Sequence, residues 1–200
     1  MIRIVIIGIA ALFAGAVSAG AVDAPHTLGG FVLGDSLDGY ADRLDRSTAV
    51  KVFHTGCLME VDVAPPEGFE SGSINYGNCA FPNRIVRVKL KYADGSEKFY
   101  NALLARYRDR FGPPNEWKGD PFHVVVAWKW YFQDRDGNKI SLILQHNRQD
   151  EDEKIGNSVK LTLSTQMAAE IRAHRERMSK GRSRAGKGRK SLDWDQLLPK

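Results

Sequence analysis

Arg84-Ile85-Val86-Arg87-Val88-Lys89-Leu90-Lys91-Tyr92 decides the fold. Val86, Val88, Leu90 and Tyr92 fall on every second position, and Arg87, Lys89 and Lys91 fill the gaps. A period of two sends the two sets to opposite faces of a β-strand, one buried and one wet. Parallel strands, covered on both sides, use continuous apolar runs, so this alternation predicts an antiparallel sheet. The pattern returns downstream. Val124, Val126, Trp128, Trp130 and Phe132 share one face of a strand over 123–133, and Ile140, Leu142 and Leu144 line the next. Asp136-Gly137 between them is a hairpin signal. Val159, Leu161 and Leu163 line a last strand, while weaker strands precede the opening stretch at 49–54, 57–64 and 72–79.

Helical spacing separates these runs. Leu37, Tyr40, Ala41 and Leu44 follow the i, i+3, i+4, i+7 rule behind a cap at Asp35 or Ser36. Ser96 caps a longer helix with the stripe Tyr100, Leu103, Leu104, Tyr107 and Phe111, which Gly112-Pro113-Pro114 ends. Thr165 starts a final helix through Met178, with Met167, Ile171, His174 and Met178 on one side. Runs of strands between single helices predict an α+β domain over 27–178, an antiparallel sheet with helices on one face. It divides into αβββ units at 31–93 and 96–166, followed by the helix at 166–178. A parallel βαβ fold would place a helix between most strands.

The chain has 200 residues, 42% of them hydrophobic and 26% charged, with two cysteines. That bounds it to one ordinary domain and excludes a collagen, a low-complexity chain, a disulfide-dense miniprotein and a polytopic membrane protein. Residues 1–21 read as a signal peptide. Arg3 is the positive start, Ile4 to Phe13 the apolar run, and Val17-Ser18-Ala19 or Ala19-Gly20-Ala21 the small-residue cleavage pattern. The alternative is a retained anchor, since Ile4 to Val22 carries no charge, but its second half is only weakly apolar. The expectation is a periplasmic or secreted protein with no integral membrane domain after cleavage.

Export places Cys57 and Cys79 where disulfides persist. A bond closing this loop of about 23 residues contributes roughly 3 kcal/mol on the chain-entropy account. A metal or redox site from His54, Cys57, Met59 and Cys79 is the alternative, although His54-x-x-Cys57 matches no usual ligand spacing. No metal or other cofactor is expected.

The formal net charge is +5, yet residues 167–200 alone hold ten cations and four anions. Residues 179–200 read as a disordered basic tail. Lys180, Arg182, Arg184, Lys187, Arg189 and Lys190 occur there without an acid between them, and Trp194, Leu197 and Leu198 follow as a short apolar patch. A basic linker ending in such a patch reads as a tethered docking segment for an envelope protein or an anionic surface. Nucleic acid is the usual partner of such a run inside cells, and export argues against it.

The element order, the export signal, the Phe31-x-Leu33-Gly34-x-Ser36 stretch and the Phe111-Gly112-Pro113-Pro114 helix exit resemble exported bacterial αβββ domains. Beta-lactamase-inhibitor-like proteins and the small lipoprotein of the outer-membrane barrel assembly machine are examples. The resemblance spans about residues 28–166 and implies a protein-binding module without catalysis. This chain departs from the lipoprotein by lacking a cysteine for lipidation and by adding the basic tail. Separately, Gly34-Asp35-Ser36-Leu37 resembles the signature of the GDSL hydrolases, and Asp120-Pro121-Phe122-His123 resembles their Asp-x-x-His block. That implies a serine esterase with Ser36 as nucleophile, His123 as base and Asp120 orienting it. The family has an αβα sandwich and a Gly-x-Asn-Asp block with no counterpart here, and Asp35 and Ser36 serve equally as helix caps. Asp134-x-Asp136-Gly137-Asn138 resembles the start of a calcium loop but lacks the acidic ligand at position 12, and a tight turn needs the same residues. The favoured expectation is an exported noncatalytic binding protein, with the esterase and the metal or redox protein as alternatives.

Overall fold

The computed structural model describes residues 23–53, 55–122, 124–147 and 156–185, with 181–185 as backbone. A small hairpin of β1 (Thr27–Leu28) and β2 (Phe31–Val32) leads into a 3-10 helix, Leu37–Arg43. Then come β3 (Leu44–Lys51), β4 (Leu58–Val63), β5 (Phe69–Gly77) and β6 (Ile85–Tyr92). Helix α1 (Glu97–Phe111) separates these from β7 (Glu116–Trp117), β8 (Val125–Gln133), β9 (Lys139–Asn147) and β10 (Asn157–Leu163), and α2 (Ser164–Ala185) follows. Strands β3 to β10 form one eight-stranded sheet in the order β3-β4-β5-β6-β10-β9-β8-β7, antiparallel throughout. Two meanders, one on each side of α1 in the chain, join where β6 pairs with β10. This is the α+β architecture that the alternating runs predict.

The first face holds the main core. Val88 and Leu90 of β6, Leu142 and Leu144 of β9, and Val159 and Leu161 of β10 pack with Tyr100 and Leu104 of α1 and Leu37 of the 3-10 helix. Each such side chain contributes about 1.5–3 kcal/mol when fully buried. Ser96 starts α1 by accepting from Phe99 N–H at 3.2 Å. Gly112, at φ 76°, ends it in a conformation open to glycine, and its carbonyl accepts from Trp130 Nε1 at 2.9 Å. Asn157, fully buried, ties the start of β10 to the start of α1. Its Nδ2 donates to the carbonyls of Asp94 and Ser96 at 2.8 and 2.9 Å, while its Oδ1 lies 2.7 Å from His146 Nδ1.

Helix α2 departs from the one-face expectation, which holds for the 3-10 helix and α1. It crosses one end of the second face. Thr165 Oγ1 accepts from Lys139 N–H of β9 at 2.7 Å, and Met167 Sδ accepts from Arg87 of β6 at 3.4 Å. Met167 and Ile171 then pack on Leu58, Val86 and Cys57. The register of β5 and β6 shifts beside Val86. A bulge of this kind re-aims a side chain, and Val86 joins Leu58 in an apolar patch on the face that is otherwise polar. That patch is what an amphipathic helix can cover.

The helix also runs through Ala185, so the part of the expected disordered tail at 179–185 is helical. Lys, Arg and Ala sustain a helix, and cations suit its C-terminal end. The rest of the tail, with Lys187, Arg189, Lys190 and Trp194, lies outside the described residues, as do the signal segment and the acidic stretch at 150–153. Among the described residues no helix is long and apolar enough to cross a membrane.

Candidate functional site

The residues of the esterase reading do not converge. Ser36 caps the 3-10 helix, its Oγ accepting from Asp38 N–H at 3.4 Å and donating to the Asp38 carboxylate at 3.3 Å. It bridges to Arg84, just before β6. Asp120 stands before β8, where its carboxylate accepts from Val125 N–H and from Phe122 N–H at 2.8 Å. Those bonds, Val125 first, hold its carboxyl below the usual range. Strands β10 and β9 lie between β6 and β8. The register carries Lys91 of β6 through Ser158 and Gln145 to Ala127 of β8, so the Arg84 end lies far from Val125. Ser36 and Asp120 thus occupy opposite corners of the sheet, on the order of 30 Å apart by strand spacing and rise. A general base and its partners must meet within hydrogen-bond reach. His123 lies outside the described residues. The antiparallel sheet is also not the αβα sandwich that the GDSL resemblance implies.

Asp134 is a turn residue. Its carboxylate accepts from Asp136 N–H, Asn138 N–H and Asn138 Nδ2 at 2.8 to 3.0 Å, and His26 Nε2 lies 3.4 Å away.

Chemistry-bearing side chains do gather where α2 crosses the ends of β4 and β5. Cys57 precedes β4 and Cys79 follows β5, and Asn78 N–H donates to the Cys57 carbonyl at 3.0 Å, extending the ladder between them. The expected disulfide is not formed: both are free thiols. Their sulfurs and a Glu170 carboxylate oxygen nevertheless lie within 4.8 Å of one another. Cys57 is fully buried, and burial above all, reinforced by negative charge at Cys79 and Glu170, pushes its thiol up to about 11. Cys79 is half-buried, and Arg177 of α2 donates to its Sγ at 3.5 Å and to its carbonyl at 3.0 Å.

Glu170 is the centre of this cluster. It is 0% exposed and accepts three backbone hydrogen bonds from one turn: Cys79 N–H at 2.8 Å, Ala80 N–H at 3.1 Å and Phe81 N–H at 2.6 Å. Successive amides converging on one carboxylate form an anion-binding nest. A Cβ at Gly77 would collide with that carboxylate and with the Phe81 carbonyl, so glycine is needed there. One turn further along α2, the His174 ring lies against Gly56, leaving no room for a Cβ. Met59 sits inside β4 opposite Tyr76, and His54 lies outside the described residues, so of the set named for the alternative metal reading only Cys57 and Cys79 are seen to meet, and the third group beside them is Glu170. With the carboxylate engaged by three amides and the Cys57 thiol held protonated, the group suits a dithiol better than a cation site. Sequence reasoning missed Glu170. Its signal was a lone acid on the buried stripe of α2, three residues after Met167 and four before His174.

The rest of the second face is charged. Lys89 of β6 and Lys160 of β10 are direct cross-strand partners, with Arg87 opposite Thr162 and Lys91 opposite Ser158. Burial first, and then the charges of Arg87 and Lys89, hold the Lys160 ammonium below the usual lysine range. A groove of about 610 Å³ opens beside this row, lined by Asp62, Glu70, Ser71, Ser73, Lys89 and Lys91. Lys91 pairs with Glu70 at 3.0 Å.

Beyond Arg177 the second half of α2 leaves the sheet. All residues from Arg175 to Lys180 are exposed, presenting Arg175, Arg177 and Lys180 with Glu176 as the one acid. The helix backbone carries on past Arg182 and Arg184.

No family model matches this chain, and comparison with curated proteins and with solved structures yields no match. Geometry alone therefore bears on function.

Proposed function

We propose that the protein is an exported, noncatalytic binding domain whose α2 arm and basic tail engage an anionic membrane surface of the cell envelope. The observation that carries this is the protruding half of α2. A helix of 22 residues is about 33 Å long. Its first half grips the sheet, while its second half projects a row of exposed cations toward a tail of the same sign. Such a segment is attracted to anionic headgroups, at about 1 kcal/mol per cation near the surface, and Trp194 with Leu197 and Leu198 supplies an apolar end for the interface. Export rests on the signal-like residues 1–21.

Co-sedimentation with phosphatidylglycerol vesicles and with neutral phosphatidylcholine vesicles tests the proposal. The full chain should bind only the anionic vesicles, and added salt should release it. Deleting residues 179–200, or reversing the charge of Arg175 and Lys180, should weaken binding. Equal binding after deletion would sink the proposal.

A second reading is favoured by the groove on the second face, where charges of both signs surround serine hydroxyls. The resemblance to αβββ binding domains implies a protein partner, and this face is where one would dock. Binding of an envelope protein that is lost with Lys89→Glu and kept after tail deletion would support it over the membrane reading.

A further inference from the structure

We propose that Cys57 and Cys79 are an oxidisable dithiol with fixed roles, Cys79 attacking the oxidant and Cys57 resolving, whose closure pins the turn that holds Glu170 and thereby helix α2. The proposal stands whether or not α2 meets a membrane. Accessibility sets the order. Cys79 is half-buried at the rim, whereas Cys57 is 0% exposed beneath Leu58 and Val86. A disulfide reagent can therefore reach only Cys79. Charge sets it as well. Arg177 stands 3.5 Å from Cys79 Sγ, beside negative charge that develops there, while burial keeps Cys57 a neutral thiol pushed up to about 11. The thiolate is the nucleophile in exchange, so the buried thiol is the poorer first attacker. Once Cys79 carries a mixed disulfide, Cys57 lies within 4.8 Å of its sulfur.

Take a small disulfide such as oxidised glutathione as the oxidant. The Cys79 thiolate attacks one glutathione sulfur, the glutathione S–S bond breaks, and the other half leaves as a thiolate that takes up a proton. Cys57 then gives up its proton and attacks Cys79 Sγ. The internal S–S bond forms and the second glutathione leaves as its thiol. Two electrons pass from the protein to the glutathione disulfide.

The consequence for α2 follows from the double role of Cys79. Its sulfur closes the bond, and its own N–H is the first of the three that hold Glu170, with those of Ala80 and Phe81 following. Its carbonyl is also the acceptor for Arg177. Tying Cys79 to the start of β4 limits the conformations the turn visits when it opens, and α2 is bound through that turn.

The test uses the reduced full chain and its C57S and C79S variants with oxidised glutathione, read by mass spectrometry and amide hydrogen exchange. Wild type should lose both thiols and keep no glutathione. C57S should retain one glutathionyl group on Cys79, and C79S should remain unmodified over the same time. In folded reduced wild type a maleimide should label Cys79 first, which keeps the order testable should a variant fold poorly. Exchange at Cys79, Ala80 and Phe81 should slow on oxidation by on the order of tenfold or more. Equal modification of C57S and C79S would overturn the assigned roles, and so would persistence of both thiols in wild type. Unchanged exchange would overturn the coupling to α2. Stoichiometric zinc held by the reduced chain and shielding both thiols from maleimide would assign the cluster to a metal instead.

Discussion

Replacing Glu170 with alanine tests whether one buried carboxylate holds α2 to the sheet. In the native protein three backbone N–H groups end on this carboxylate, at 2.6 to 3.1 Å, in a site closed to solvent. Glu170→Ala leaves all three donors without an acceptor. A buried donor left unmade costs about 1–3 kcal/mol. The exposed side of the Cys79–Phe81 turn lets water reach some of the three, which places the whole cost at about 3–5 kcal/mol, the range for removing one side of a buried charged interaction. Glu170→Gln keeps the volume and one carbonyl oxygen but turns an NH₂ toward N–H donors, so it should recover about half. The loss should also be local. The main core lies on the first face and includes no residue of α2. Urea titration of Glu170→Ala should therefore show helical far-UV circular dichroism falling before the tryptophan fluorescence of the sheet, whereas wild type gives one coincident transition. A cost below about 1 kcal/mol, or coincident transitions in the variant, would refute the argument that the nest anchors the helix.

Lys160→Met should raise stability by about 0.5–1 kcal/mol at low salt, because it removes the like-charge partner of Lys89 directly across the β6–β10 pair. The gain should shrink with added salt. It should also shrink as pH rises toward the lysine range. The folded protein, with its Lys160 ammonium held below the usual value, releases that proton before the unfolded chain does, so wild-type stability climbs in that window. Denaturant midpoints across salt and pH check this, and a gain that grows with either would count against it. Asn157→Ala should cost about 2–4 kcal/mol, since the Asp94 carbonyl and the buried His146 nitrogen lose the Asn157 amide as a partner and the Ser96 carbonyl keeps only Tyr100 N–H. Chemical denaturation measures it, and a loss within about 0.5 kcal/mol would show that water replaces the amide.

The sheet was legible because its information is local. A residue at every second position reports which face is buried, and the runs at 84–92, 123–133 and 159–163 each state it within one strand. Asp136-Gly137 and Gly112-Pro113-Pro114 mark turns by backbone preferences that no distant contact overrides. Less legible was the side on which α2 lands. Its stripe of Met167, Ile171 and His174 says that one face is buried, not against what. The answer depends on Val86, which an ideal alternation assigns to the first face and which the bulge between β5 and β6 turns toward α2. A one-residue irregularity in one strand thus decides the placement of a whole helix, and the register that creates it is set by pairing across the sheet.

The same locality explains why the Ser36 motif stood out while Glu170 was missed. Gly34-Asp35-Ser36-Leu37 is a contiguous motif, visible at once, yet its serine is consumed by capping the 3-10 helix, and its supposed partner Asp120 lies across the sheet. The cluster that does form draws Cys57, Cys79, Glu170 and Arg177 from segments up to about 120 residues apart, with no shared spacing to betray it. What was visible in advance was a set of residues out of place for their type: two cysteines behind a signal-like segment, a glycine closing β5, and an acid on an apolar helix stripe. A buried acid must find donors. The nearest available were the free N–H groups of a turn that only a glycine at position 77 lets the helix approach. Gly77→Ala should therefore mimic the loss of Glu170 in the same urea titration, because its Cβ denies the carboxylate its seat without removing any hydrogen-bonding group.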